Sequence, residues 1–235
     1  MVLSLIMQEV FELSHILYIV ISLVLTVVGL VLIKKYCKTK KAMKIAIMVC
    51  AVVLLCVFIW NRLSLAIIEK DALKLMPYSY CSATTLLLTV FVLALKDRNR
   101  GVFHCVWYLA IIGPILTLIY PAFIIGIDTS IFATRTFSGL LHHSISLFLA
   151  VLLLISGEFK PNWRKLWCLG LGMCAYVAFG LFQIRALGFA DSMEINRSFV
   201  EGTFLWWYVV GPMVLAGFFI ITYCYERLAK KFKKK

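Results

Sequence analysis

One thiol stands apart from the other reactive side chains of this sequence. Cys81 follows the polar turn Pro77-Tyr78-Ser79-Tyr80 and opens an apolar run. Of the other seven cysteines, Cys37 and Cys224 fall at lysine-rich ends. Cys50, Cys56, Cys105, Cys168 and Cys174 fall inside apolar runs, where cysteine behaves as a small buried hydrophobe. A thiol attacks a carbonyl only as thiolate, so a nucleophilic Cys81 needs a base within reach. The adjacent pair His142-His143 supplies two candidates. Ser138 and Ser146 flank His142 at i−4 and i+4, and Ser146 is i+3 from His143, positions from which a hydroxyl can orient a ring. Backbone amides from Ser79 to Ser82, at a helix start, are natural donors to an oxyanion. The competing reading is that Cys81 only packs and the histidines only bond across helices. Neighbouring helical residues diverge by about 100°, so the two rings rarely share one ion. No metal and no cofactor are expected.

The elements that position these groups follow from hydropathy. The chain has 235 residues, 63% hydrophobic and 15% charged, with mean hydropathy +0.98. Soluble domains are nearer half apolar and a quarter charged, so lipid must cover this surface. Long apolar runs predict an all-α polytopic membrane bundle of about seven transmembrane helices, one domain over 1–235. The helices are predicted near 15–33, 45–66, 77–95, 102–125, 138–156, 166–185 and 204–225. On these bounds Cys81 and the histidine pair lie at similar depth, roughly 6–9 Å in from one membrane face. The start lacks both a basic cluster and a cleavage site, so the first helix is expected to be its own insertion signal.

Charge placement predicts orientation. Of 24 Lys and Arg, eighteen fall in 34–44, 96–100, 157–165 and 226–235, and six in the alternate segments. The basic set is expected in the cytoplasm, which puts the N-terminus outside and the C-terminus inside. The net charge of +13 is thus a topology signal, and no nucleic-acid partner is expected. The lysine-rich loops point to a bacterial cell membrane. Trp60 and Trp206-Trp207 at outer ends, and Trp107, Trp163 and Trp167 at inner ends, are expected as interface anchors. His15 and His104 are expected at the interfaces too. The spacing Gly170, Cys174, Ala178 predicts close helix packing. Pro114, Pro121 and Pro212 predict bends that open a lipid-sized groove.

The order of these features resembles the YwaF-like integral membrane family, which includes a vertebrate transmembrane phospholipid acyltransferase. The matching pieces are Leu75 to Cys81, Gly113 to Pro121, His142-His143 and Trp206-Trp207-Tyr208, spread over most of the chain. Ser79 and Leu116 stand where the family pattern has a histidine and a glutamine. The resemblance implies thiol–histidine chemistry on lipid esters. Cys81 would be the acyl-accepting nucleophile, with His143, or else His142, as base. The implied function is a phospholipid acyltransferase or transacylase. Its partners would be membrane phospholipids, with Ser79, Ser82 and Ser146 lining the site and Arg62 and Arg185 meeting anionic headgroups. Two alternatives stay open. One is a lipid-ester hydrolase using threonine with histidine, for which Thr84, i+3 from Cys81, is the candidate. The other is a non-catalytic binding or transport protein, in which Asn61-Arg62 and Gln183-Arg185 bind headgroups or only set topology. A coupled ion transporter is disfavoured, because the helices hold almost no carboxylates.

Overall fold

In a computed structural model, residues 13–120, 130–199 and 202–233 are described, and every regular element among them is helical. The helices are α1 (Leu13–Tyr36), α2 (Lys40–Ile68), α3 (Tyr80–Ala94), α4 (Gly101–Ile119), α5 (Thr134–Ile155), α6 (Trp167–Leu187) and α7 (Trp207–Lys233). Two 3₁₀ turns, Ala72–Leu75 and Trp163–Lys165, precede α3 and α6. Six helices are long and apolar enough to cross a membrane, and α3 is a shorter apolar helix. The chain is a polytopic membrane bundle.

The shortness of α3 matters most for the site. The expected start at Pro77 is wrong by three residues, because Ser79 caps the helix. Its hydroxyl accepts from the Ser82 amide at 3.2 Å, while the Ser79 amide donates to Ser82 Oγ at 3.1 Å. This reciprocal capping box fixes where the helix begins. With 15 residues α3 is about 22 Å long, some 8 Å short of the hydrocarbon thickness. The chain approaches α3 through the 3₁₀ turn and an extended stretch.

Helices α2, α3, α4 and α5 form the central unit. Both α3 and α5 pack against α2 and against α4, so they face one another diagonally across it. The core stripe of α2 is Ile47, Ala51, Leu54 and Phe58, at the three- and four-residue spacing of one helix face. Leu88, Val92, Tyr108, Leu149 and Leu153 meet it. The register of α4 on α5 is set by the Trp107 indole, which donates to the Ala150 carbonyl at 2.9 Å. Trp107 is thus a buried register pin, 5% exposed, and not an interface anchor. At the basic end Arg98 is buried, pairs with Glu158 at 2.7 Å and donates to the Val92 carbonyl at 3.1 Å.

The outer layer is α1, α6 and α7. No residue of α1 is buried except His15, since this helix leans mainly on α5. The closest small-residue contact of α6 is at Gly172 rather than along Gly170, Cys174 and Ala178. Cys174 is exposed, as is Cys56, so neither is the buried hydrophobe expected. A Cβ on Gly172 would lie 2.6 Å from the Cys105 carbonyl oxygen and 2.9 Å from its Cβ. Gly172→Ala should therefore force α4 and α6 apart, at a cost of about 1–3 kcal/mol. Thermal unfolding in detergent reads this as a lowered midpoint. Gly217→Ala, with open space around its Cβ, should leave the midpoint unchanged or raise it. Pro114 and Pro212 lie inside α4 and α7 as expected. Pro121 and the predicted last turn of helix 4 fall outside the described residues.

Candidate functional site

The thiol and the imidazole pair stand on the two diagonal helices. Cys81 is the second residue of α3 and packs on α4. Its Sγ lies 3.6 Å from Thr117 Oγ1, and a Cβ on Gly113 would come within 3.1 Å of it. A side chain at 113 would press on the sulfur, which would have to shift by a few tenths of an ångström. Thr117 itself donates to the Gly113 carbonyl at 2.9 Å, so its hydroxyl oxygen is turned toward the thiol.

His142 and His143 are eight and nine residues into α5, because that helix begins at Thr134. They are about 12–14 Å from its end, deeper than the sequence bounds indicated. The level of Cys81 against them is set by its packing on Gly113 and Thr117 of α4. The Trp107–Ala150 bond makes this quantitative. Gly113, against the sulfur, is six residues beyond Trp107, about 9 Å along α4. His143 is seven residues before Ala150, about 10 Å along α5 in the same direction. The thiol and the ring are therefore level. No hydrogen bond joins Cys81 to either histidine.

The two rings have different surroundings. His142 Nδ1 lies 3.3 Å from the Ser138 carbonyl, and its ring meets Phe58 of α2 edge-on at 6.2 Å. The Ser138 hydroxyl was expected to hold this ring, but it accepts from Asn61 Nδ2 at 3.0 Å instead. His143 lies two turns from Ala150 and so shares the stripe that faces α4. The rings sit 4.0 Å apart, centroid to centroid.

Much of the polar chemistry here lacks a partner. His142 Nε2, His143 Nδ1, Ser146 Oγ, Thr136 Oγ1 and the Nε and Nη1 of Arg62 are all buried without a hydrogen bond. Each such group costs on the order of 1–3 kcal/mol unless water or a ligand meets it. Ser146 was expected to orient a ring and is free to meet a ligand. Arg62 is 7% exposed and bonds Asn61 Oδ1 through Nη2 at 2.6 Å. Its guanidinium stacks on Phe58 at 5.7 Å and on Tyr78 at 5.2 Å, and its charge reaches both histidines. It thereby ties α2 to the segment that carries Cys81.

Other candidates are placed elsewhere. Ser79 and Ser82 are committed to the capping box, and Ser82 Oγ also donates to the Ser79 carbonyl at 2.9 Å. Their side chains, and the Ser82 amide, are not available to a substrate oxyanion. Arg185 is exposed in the last turn of α6, away from the cluster. Gln183 is buried and structural, donating to the Pro77 carbonyl at 3.2 Å and accepting from Ser192. Thr84 donates to the Tyr176 hydroxyl of α6 at 3.2 Å and so faces that helix. His15 and His104 are buried rather than interfacial. His15 Nε2 meets the Leu118 carbonyl at 3.0 Å, and His104 Nδ1 meets Tyr108 OH at 3.2 Å. Two apolar grooves, about 520 Å³ along α3, α4 and α6 and about 970 Å³ along α1 and α5, lie outside the cluster. Neither is lined by Cys81, His142 or His143.

Sequence reading missed two elements of the site. Thr117 was one polar residue in an apolar run, with nothing to show that it met Cys81. The loop after α6 carried no motif, yet it wraps the Cys81 segment. Met193 N–H donates to the Tyr78 carbonyl at 2.8 Å, and Phe199 stacks on Tyr80 at 5.9 Å.

No curated protein and no solved structure matches the chain. A family profile does, over residues 10–223, which takes in α1 to α6, most of α7 and both halves of the cluster. By that match the chain is a member of the TMEM164 family of membrane proteins.

Proposed function

We propose that this protein is a phospholipid transacylase in which Cys81 carries the acyl group and His143 is the base. The observation that carries the reading is the buried polar cluster of α2 and α5, level with a half-buried thiol on α3. The resemblance to the YwaF-like proteins supports the same chemistry. In the first half-reaction His143 takes the thiol proton, and the thiolate attacks the ester carbonyl of a phospholipid. The C–O bond breaks, the departing lysophospholipid oxygen recovers the proton from His143, and the acyl chain remains as a thioester on Cys81. In the second, a lysophospholipid hydroxyl attacks the thioester and the thiol is regenerated. Arg62, with two free donors, would hold the lipid phosphate. The Thr84 hydrolase reading is weaker, since that hydroxyl is spent on Tyr176. The test is transfer in proteoliposomes holding the purified protein, a phospholipid with a labelled acyl chain and an unlabelled lysophospholipid. Label should appear on the acceptor, and none appearing would reject the reading.

The site faces the outer leaflet on this account, because the six-lysine-and-arginine side carries the Cys81 end of α3. Reporter fusions at Lys38 and at the C-terminus should both report the cytoplasm. An external signal from either would reverse or break the seven-helix orientation.

A further inference from the structure

The one polar contact of the Cys81 sulfur has a direction. Sγ lies 3.6 Å from Thr117 Oγ1, a pair in which either atom is a possible donor. Thr117 has one hydroxyl hydrogen, and it goes to the Gly113 carbonyl at 2.9 Å. Its oxygen is left to accept, so at rest the thiol donates to it. The S–H therefore points into α4.

The surroundings let this contact reverse. Gly113 and Thr117 are one turn apart and so share a stripe of α4, where a Cβ on Gly113 would lie 3.1 Å from the sulfur. The Thr117 bond to Gly113 is the back-bond that threonine makes inside helices. It is also dispensable. The Gly113 carbonyl lies four residues before Thr117, so within the helix it is the partner of the Thr117 backbone amide. The hydroxyl hydrogen can leave that carbonyl without stranding a buried acceptor.

We propose that the Thr117 hydroxyl holds the Cys81 S–H at rest and turns to donate to the sulfur when the thiolate forms. This rests on the reading of Cys81 as nucleophile. Only hydrogens move. The S–H turns about Cβ–Sγ, leaves Thr117 and gives its proton to His143. The Thr117 O–H turns about Cβ–Oγ1, from the Gly113 carbonyl to a sulfur lone pair. Its hydrogen stays on oxygen throughout, so the balance of the transfer is unchanged. A hydrogen bond to an ion is about twice as strong as a neutral one, so a contact that is weak in the thiol becomes strong in the thiolate. Unloading to a lysophospholipid is the reverse of loading from a phospholipid. Thr117 therefore serves both, meeting the thiolate whether sulfur is attacking or leaving.

The size of the effect follows. A bond to a charged group favours the thiolate roughly 10–100-fold. A stabilised thiolate is also a weaker nucleophile, which returns about half of that gain on a logarithmic scale. The net acceleration of either half-reaction is roughly 3–10-fold.

Two substitutions separate the hydroxyl from the packing. Thr117→Val keeps the branched shape and removes the hydroxyl, and Thr117→Ser does the reverse. In proteoliposomes with labelled phospholipid, Thr117→Val should load Cys81 roughly 3–10-fold more slowly, with KM unchanged and unloading slowed by the same factor. Thr117→Ser should load at close to the wild-type rate. A residue that only packed on the sulfur would give the opposite order, with serine slower than valine. That order, or a valine variant as fast as the wild type, overturns the proposal. Thr117→Ala removes the same hydroxyl without adding bulk, carries the same expectation, and replaces valine if that variant fails to insert. Alkylation of Cys81 by iodoacetamide, followed by the mass of its peptide, needs the thiolate but no ester. It should show valine slow and serine near wild type, and loss of that order overturns the proposal. The same order in a wild type that forms no thioester would reject the transacylase reading and uphold the role of Thr117.

Discussion

Cys81→Ala should reduce acyl transfer by at least ~10³-fold while the protein inserts and melts as before. The loss follows from chemistry, since the thiol is the strongest nucleophile at this level. The unchanged stability follows from packing. Sγ fills space between Thr117 and Gly113, and its one polar contact is a long 3.6 Å approach to a hydroxyl already bonded to the Gly113 carbonyl. Removing it deletes one small buried atom, a change on the order of 1 kcal/mol. Cys81→Ser tests the same point at nearly constant volume. A serine hydroxyl ionises far less readily than a thiol, so this variant should be almost as inactive. The assay is label transfer in proteoliposomes, with folding followed by thermal unfolding in detergent. Transfer that survives Cys81→Ala but is lost in Thr84→Val would favour the threonine hydrolase reading.

The second large effect separates base from binder. His143→Ala should lower kcat by about 10²–10⁴-fold, the usual contribution of a positioned base, and change KM little. Combined with Cys81→Ala it should add nothing further, because the two residues act as a unit. His142→Ala should cost less, since that ring is turned to Phe58 and the Ser138 carbonyl. Arg62→Gln should give the opposite pattern. A charge-assisted bond to phosphate contributes about 1.5–3 kcal/mol, so KM for the donor lipid should rise roughly 10–100-fold with kcat nearly kept. Steady-state kinetics against donor concentration distinguish the patterns. A kcat loss for Arg62→Gln equal to that of His143→Ala would place the guanidinium in the chemical step.

How far the site was legible in the sequence depended on the range of the interactions that fix it. Hydropathy gave the all-helical membrane bundle seen among the described residues, because burial in lipid acts on whole runs of residues. The ends moved where a local device took over. The capping box of Ser79 and Ser82 started α3 three residues late. Thr134 started α5 four residues early and took the histidines farther from their helix end, so the agreement in level rests on the packing of α4 against α3 and α5 and not on the predicted ends. Side-chain partners were not legible. Ser138 was expected to hold a histidine, but an asparagine 77 positions away claims its hydroxyl. Trp107 looked like an interface anchor, but only the packing of α4 on α5 shows the carbonyl it meets.

The central claim is that Cys81 carries the acyl group, and the mass of the protein tests it most directly. Purified protein is incubated with a phospholipid of defined acyl chain, without acceptor, quenched in acid and measured intact, then digested to locate the adduct. The expected result is a mass increase of one acyl group, confined to the peptide containing Cys81, removed by neutral hydroxylamine and absent from Cys81→Ala. An acyl group on a threonine or on another cysteine, or full transfer with no adduct at any time, would contradict it.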